Sequence, residues 1–135
     1  MNETCLFCKI IRGEIPCYKV YEDDDVLAFL DLNALTEGHT LIIPKKHYDN
    51  IFDIPEETLA NISKVAKKLS IMYKEKLNCD GINIINANDK SAHQSIFHYH
   101  MHIIPRKNND GIDLDFHGVL RTEEELNKTL KKIKD

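Results

Sequence analysis

From Gln94 to Arg106 the chain reads Gln94-Ser95-Ile96-Phe97-His98-Tyr99-His100-Met101-His102-Ile103-Ile104-Pro105-Arg106. Histidine takes every second position from 98 to 102, with apolar residues between and after. A period of two marks an extended strand whose successive side chains point to opposite faces. The spacing therefore predicts a strand over 96–104 with one apolar face and one imidazole face. Three of the chain's seven histidines fall in this stretch. Packing alone gives little reason to put imidazoles at three alternate positions, so this face is expected to carry function.

Residues two apart on a strand lie roughly 6.5 Å apart at Cα, so His98 and His102 are about 13 Å apart. Three imidazoles in such a row converge poorly on one metal ion. They suit an extended polar substrate better, such as a phosphate with groups on either side. One imidazole attacks phosphorus while a neighbour donates to its oxygens, because neutral histidine is nucleophilic near pH 7. Gln94 and Ser95 add neutral hydrogen-bonding groups just upstream.

The rest of the chain predicts an α+β fold with an antiparallel sheet. Residues 4–12 form a helical turn ending at Gly13. Tyr18–Glu22 and Val26–Leu30 form a hairpin around the acidic turn Glu22-Asp23-Asp24-Asp25, and Thr40–Ile43 is a strand stopped by Pro44. A long helix spans Pro55–Leu77, with Asp53 and Glu56 as a capping pair and Leu59, Ile62, Val65, Ala66, Leu69, Met72, Tyr73 and Leu77 as its apolar stripe. Gly81–Asn86 is a strand. A long irregular loop follows Arg106. Thr122–Lys134 is a C-terminal helix with Thr122 and Glu125 as a capping box and Leu126, Leu130 and Ile133 turned inward.

A length of 135 residues fits one domain, 1–135. A net charge of −4 argues against nucleic acid as a partner. No apolar run is long enough for a bilayer span, and the acidic N-terminus lacks a secretory h-region, so the expected location is cytoplasmic, with no membrane partner.

The stretch Gln94–Arg106 resembles the signature of the histidine triad (HIT) family. Leu6-Phe7-Cys8-Lys9-Ile10-Ile11-Arg12-Gly13-Glu14-Ile15-Pro16, Val26-Leu27-Ala28-Phe29-Leu30-Asp31 and Gly38-His39-Thr40-Leu41-Ile42-Ile43-Pro44-Lys45-Lys46-His47 resemble other segments of that family. The motif-bearing part is 5–106, and 107–135 is a C-terminal loop and helix. The resemblance implies a five-stranded antiparallel sheet with a long helix, paired in a two-fold homodimer. It implies a hydrolase or transferase acting at the α-phosphate of purine nucleoside phosphoramidates or adenylylated compounds. A dinucleoside polyphosphate hydrolase and a nucleotide-binding module with vestigial catalysis are the alternatives. By that analogy His100 is the nucleophile and forms a nucleotidyl-histidine intermediate, with a backbone carbonyl holding its other nitrogen. His102 and His39 stand around phosphate and nucleophile, and Ser95 and Gln94 bind the phosphate and assist the leaving group. Asp31 holds the ribose, and Phe7, Phe29 and Leu32 surround the base.

Two features of the chain stand apart. Many family members carry Asn-x-Gly in the loop before the triad and glycine before the glutamine, whereas this chain has Ala87, Asp89 and His93. Glycine tolerates backbone conformations that aspartate and histidine do not. Cys5-Leu6-Phe7-Cys8 has the spacing of half a zinc site, and Cys17, Cys79, His47 and His98 can supply the remainder. Within bacterial-type members the resemblance narrows a structural zinc site to Cys5, Cys8, His47 and His98. A third reading, a metallohydrolase ligating through the triad, predicts activity lost to chelators and restored by metal.

Overall fold

The computed structural model describes residues 2–114 and 117–135. Five strands, β1 (Lys19–Glu22), β2 (Val26–Leu30), β3 (Thr40–Pro44), β4 (Gly81–Ile85) and β5 (Met101–Arg106), form one sheet in the order β1-β2-β3-β5-β4. Every neighbouring pair is antiparallel. Among the described residues three α-helices complete the fold: α1 (Leu6–Ile11), α2 (Glu56–Lys76) and α3 (Glu123–Lys134).

Strands β2 and β3 are covered on both faces, which explains their unbroken apolar sequences. Val26, Ala28 and Ile42 meet Ile62, Val65, Ala66 and Leu69 of α2 in one core. Leu27, Phe29, Leu41 and Ile43 meet Phe7 and Cys8 of α1 in a second. In β5, Met101 and Ile103 join the α2 core. Alternation therefore turns His102 toward the α1 side.

The histidine strand is shorter than the sequence pattern predicts, beginning at Met101 rather than near Ile96. The backbone of residues 98–100 is engaged elsewhere. The Tyr99 N–H donates to the Tyr48 carbonyl at 2.6 Å. The His98 carbonyl accepts from the His100 ring at 2.8 Å, and the His100 carbonyl accepts from the Asn86 side chain at 3.0 Å. No ladder can continue through groups already paired.

One helix cap differs from expectation. Pro55 precedes α2 without a side-chain cap, and the Asp53 carboxylate instead accepts the N–H groups of Asp49 and Asn50. The Thr122–Glu125 capping box of α3 is present. Its apolar stripe, however, does not turn inward: Leu126, Leu130 and Ile133 are 57%, 47% and 75% exposed. Of the long loop before it, residues 115 and 116 lie outside the described residues. No helix among the described residues is long and apolar enough to cross a membrane.

Candidate active site and metal cluster

A cleft of about 390 Å³ opens between α1 and the sheet. Phe7, Phe29 and Leu32 line its apolar part, while His100, His102, Asp31 and Ser95 supply polar groups. Phe7 and Phe29 meet edge to face at 5.7 Å. Leu32 sits at the rim, 81% exposed. The aromatic walls suit a flat base, and the imidazoles lie at the polar end.

Hydrogen bonds to groups of fixed character determine the tautomer of each histidine. His100 is buried, and its Nδ1 lies 2.8 Å from the His98 carbonyl, which only accepts. Nδ1 therefore carries the proton, and Nε2 keeps its lone pair. His39 is set from the opposite side. Its Nδ1 accepts the Leu35 N–H at 3.0 Å, so its Nε2 carries the proton and donates to His102 Nδ1 at 2.9 Å. His102 must then hold its proton on Nε2. The cleft thus contains a lone-pair nitrogen on His100 beside an N–H donor on His102, with ring centroids 5.1 Å apart.

Burial keeps these rings neutral. It lowers the His100 pKa against the hydrogen bond to His98 and the Asp31 charge, both of which raise it. It lowers His102 to about 4, with His100 and His39 adding to the effect. His39 is also lowered by burial, with Asp31 opposing. Asp31 Oδ2 lies 3.5 Å from His39 Nε2. With His39 neutral this is a polar contact rather than an ion pair. The other Asp31 oxygen accepts the Asn33 N–H at 2.9 Å.

Cys5, Cys8, His47 and His98 converge behind the cleft, with potential ligand atoms all within 4.8 Å of one another. His98 Nδ1 lies 3.3 Å from Cys5 Sγ and 3.5 Å from Cys8 Sγ. His47 Nδ1 lies 3.3 Å from Cys8 Sγ. Tetrahedral zinc with ordinary Zn–S and Zn–N bonds separates sulfur and nitrogen ligands by about 3.5 Å. Both imidazoles have the right tautomer: His98 Nε2–H donates to the Pro44 carbonyl and His47 Nε2–H to Asp49, each at 2.8 Å. Their Nδ1 lone pairs therefore face the sulfurs, and the oxygen partners form the outer shell that metal-bound histidines require.

Asp31, His39 and His102 form a second compact group of potential ligands. The same reasoning disfavours it. With the Leu35 N–H on Nδ1, His39 would have to lose its last ring proton to bind metal through Nε2. This also weakens the sequence-based alternative of a metal held by the triad: His98 belongs to the cysteine cluster, His100 to the cleft and His102 to the His39 chain.

The sequence-predicted residues thus divide in two. The cleft brings together Phe7, Phe29, Asp31, Leu32, Ser95, His100 and His102. His39, buried behind His102, is linked to the cleft by its hydrogen bond to that ring. Gln94 departs from expectation. Its side chain is buried, and its amide nitrogen donates to the Asp49 and Ile96 carbonyls at 2.6 and 3.0 Å. Its amide oxygen accepts from Asp89 N–H and the Asn50 side chain at 2.7 and 3.3 Å. Both amide hydrogens are engaged, so the side chain has none left for a phosphate. The altered loop keeps unusual backbone angles without the glycines: Asp89 has φ 74° and ψ 167°, and His93 has φ 67° and ψ 32°.

Sequence reasoning missed several supporting groups. Asn86 holds the His100 carbonyl, and Leu35 sets His39 through its backbone alone. Asp49, two residues after His47, could have been suspected as its orienting carboxylate.

Known proteins resemble this chain in sequence and in fold. A HIT-like protein of Methanocaldococcus jannaschii is 48% identical over 130 residues, covering 96% of this chain and 98% of that protein. The adenosine 5'-monophosphoramidase of Candida albicans is 36% identical, covering 99% and 91%. The crystal structure of a Streptococcus mutans protein superposes with a TM-score of 0.94 at 40% identity, covering 99% of this chain and 85% of that one. A zinc-bound histidine triad family protein from Mycobacterium smegmatis superposes with a TM-score of 0.78 at 37% identity, covering 96% and 95%. The family model described as the HIT domain matches residues 12–109. With that match and these relatives, the chain belongs to the HIT family.

Proposed function

We propose that this protein hydrolyses purine nucleoside phosphoramidates or related adenylylated compounds at the α-phosphate. The observation that carries this reading is the pairing of a lone-pair Nε2 on His100 with an N–H donor on His102 at the polar end of an aromatic cleft. The name of the Candida albicans relative supports the substrate class. The base packs against the wall formed by Phe7 and Phe29 near Leu32, and Asp31 accepts from the ribose hydroxyls. His102 Nε2–H donates to a phosphate oxygen as charge develops. His100 Nε2 forms a bond to phosphorus as the P–N bond to the leaving group breaks. The leaving nitrogen takes a proton supplied from solvent through the Ser95 hydroxyl and departs as an amine. The His100 ring is now cationic, and its Nδ1–H bond to the His98 carbonyl strengthens. Water then attacks phosphorus, the electron pair returns to Nε2, and the water's proton passes to solvent as the nucleoside monophosphate forms. His39 holds the tautomer of His102, and Gln94 shapes the loop that bears Ser95.

The test is a substrate panel. His100→Ala abolishes turnover of adenosine 5'-phosphoramidate, a loss of at least about a thousandfold, while AMP binding stays within severalfold. Near-wild-type turnover by this variant would overturn the mechanism. Faster cleavage of a diadenosine polyphosphate by wild type would favour the alternative leaving group.

Within the single domain, Cys5, Cys8, His47 and His98 hold zinc, which supplies a rigid cross-link and takes no chemical part. The chain forms a homodimer. Supporting this, β4 is an edge strand with Ile84 exposed, and Ile71 of α2 and the apolar stripe of α3 are also uncovered. Exposed apolar surface beside an open edge favours pairing with a second copy.

A further inference from the structure

The sulfur and imidazole ligands come from three segments, each of which also builds the cleft. Cys5 caps α1 and Cys8 lies on it. His47 follows β3, and His98 lies in the irregular run before β5. Helix α1 has six residues and pairs with no strand. A helix that short does not hold itself in water. What holds it is the packing of Phe7, Ile10 and Ile11 against the sheet, together with the cysteine cluster.

His98 connects the cluster to the nucleophile. Its ring is held on both sides, by the cysteines at Nδ1 and by the Pro44 carbonyl at Nε2. Its own carbonyl accepts the Nδ1–H of His100. Phe7, between the two cysteines, packs edge-on against His98 at 5.8 Å and His100 at 5.2 Å. Displacing the cluster therefore displaces both the acceptor that orients the nucleophile and the wall beside it.

We infer that Cys5, Cys8 and His47 are positioning residues for the reaction. Holding a metal ion together with His98, they set the carbonyl that orients His100 and keep Phe7 against its ring. This rests on the metal site and the nucleophile proposed above. Because these ligands touch no substrate, their loss should lower kcat more than it raises KM.

The test compares the zinc-loaded protein, the chelated protein and the Cys8→Ser variant at low temperature. Zinc content, far-ultraviolet circular dichroism, the ring 15N signals of His100, AMP affinity and kcat and KM on adenosine 5'-phosphoramidate are measured on each. The expected result is a folded metal-free chain with a broadened or shifted His100 Nδ1–H signal. Its kcat falls roughly 10-fold to 100-fold, its KM changes less, and stoichiometric zinc restores both. A folded metal-free chain with an unchanged His100 signal and kcat within about twofold would overturn the inference and leave the metal a stabiliser only. If the metal-free chain unfolds, the cadmium-substituted protein decides, because longer metal–ligand bonds must shift His98. A His100 signal that moves between zinc and cadmium forms while His39 does not supports the inference, and one that stays put overturns it. A protein that takes up no metal would remove the metal reading and this inference with it, and His100→Ala would still test the hydrolase separately.

Discussion

Replacing Gln94 by methionine keeps most of the side-chain volume and removes the amide. The amide nitrogen now donates to the Asp49 and Ile96 carbonyls, and the amide oxygen accepts from Asp89 and Asn50. Methionine satisfies none of these four partners. Each lost bond costs about 1 kcal/mol net, and more where the abandoned group is cut off from water. The variant should therefore lose about 4 kcal/mol, within bounds of roughly 2 and 6. Melting entropy is about 2.1 cal/mol/K per residue, which for this chain makes the loss a fall of roughly 14 °C in Tm. Urea denaturation gives the free energy, and calorimetric titration with AMP, well below the new midpoint, gives affinity. The expected outcome is a large stability loss with AMP affinity within about threefold of wild type, less than the tenfold that 1.4 kcal/mol represents. A variant that keeps its stability to within about 1 kcal/mol yet binds AMP more than tenfold weaker would refute it. Gln94 would then be facing the phosphate, as the family resemblance first suggested.

Asp31→Asn should raise KM for ribonucleotide substrates about 10-fold to 100-fold, the worth of a charged hydrogen bond, and barely affect a 2',3'-dideoxy substrate. Equal effects on both would remove Asp31 from the ribose. His93→Gly should stabilise the protein by about 0.5 kcal/mol, because relief of a left-handed φ outweighs glycine's entropic cost. A less stable variant would mean that His93 does not adopt that conformation. Protonating His100 removes its attacking lone pair, and burial lowers its pKa from 6.5, so the acid limb of kcat/KM should fall below pH 6.5. An acid limb above pH 7 would contradict the buried setting. His102 is about 4 folded against 6.5 unfolded, so between these values the unfolded chain binds more protons. Its contribution to stability is complete above pH 6.5 and is lost as pH falls toward 4. Because His98 is lowered in the same way, the comparison is with His102→Ala: urea midpoints of the two proteins that fall equally over this range would show that His102 titrates normally.

Periodicity alone located much of the fold. The apolar stripe of α2 and the continuous apolar runs of β2 and β3 were legible because burial against a layer imposes a repeat on the sequence. The stripe of α3 has the same repeat, yet its residues are exposed. Periodicity reports that a face is apolar and says nothing of what covers it. The histidine strand was overextended toward Ile96 because the alternation continues past the point where the backbone leaves the ladder. The pairing of Tyr99 with Tyr48 and of His100 with Asn86 sets that limit, and both partners lie outside the stretch whose alternation predicts the strand.

By itself the sequence determined the inventory: three alternate histidines, a cysteine pair at metal spacing, aromatic residues and a carboxylate in family order. These are identities and local spacings, which the covalent chain carries directly. Tertiary structure decided the tautomer and the surroundings of each histidine. Each tautomer depends on a carbonyl, an N–H or a carboxylate brought up by folding, such as Pro44 for His98 or Leu35 for His39. The Gln94 amide is bonded to loop groups for the same reason. A side chain's chemistry is fixed by what occupies its hydrogen-bonding positions, and those occupants meet only when the chain has folded.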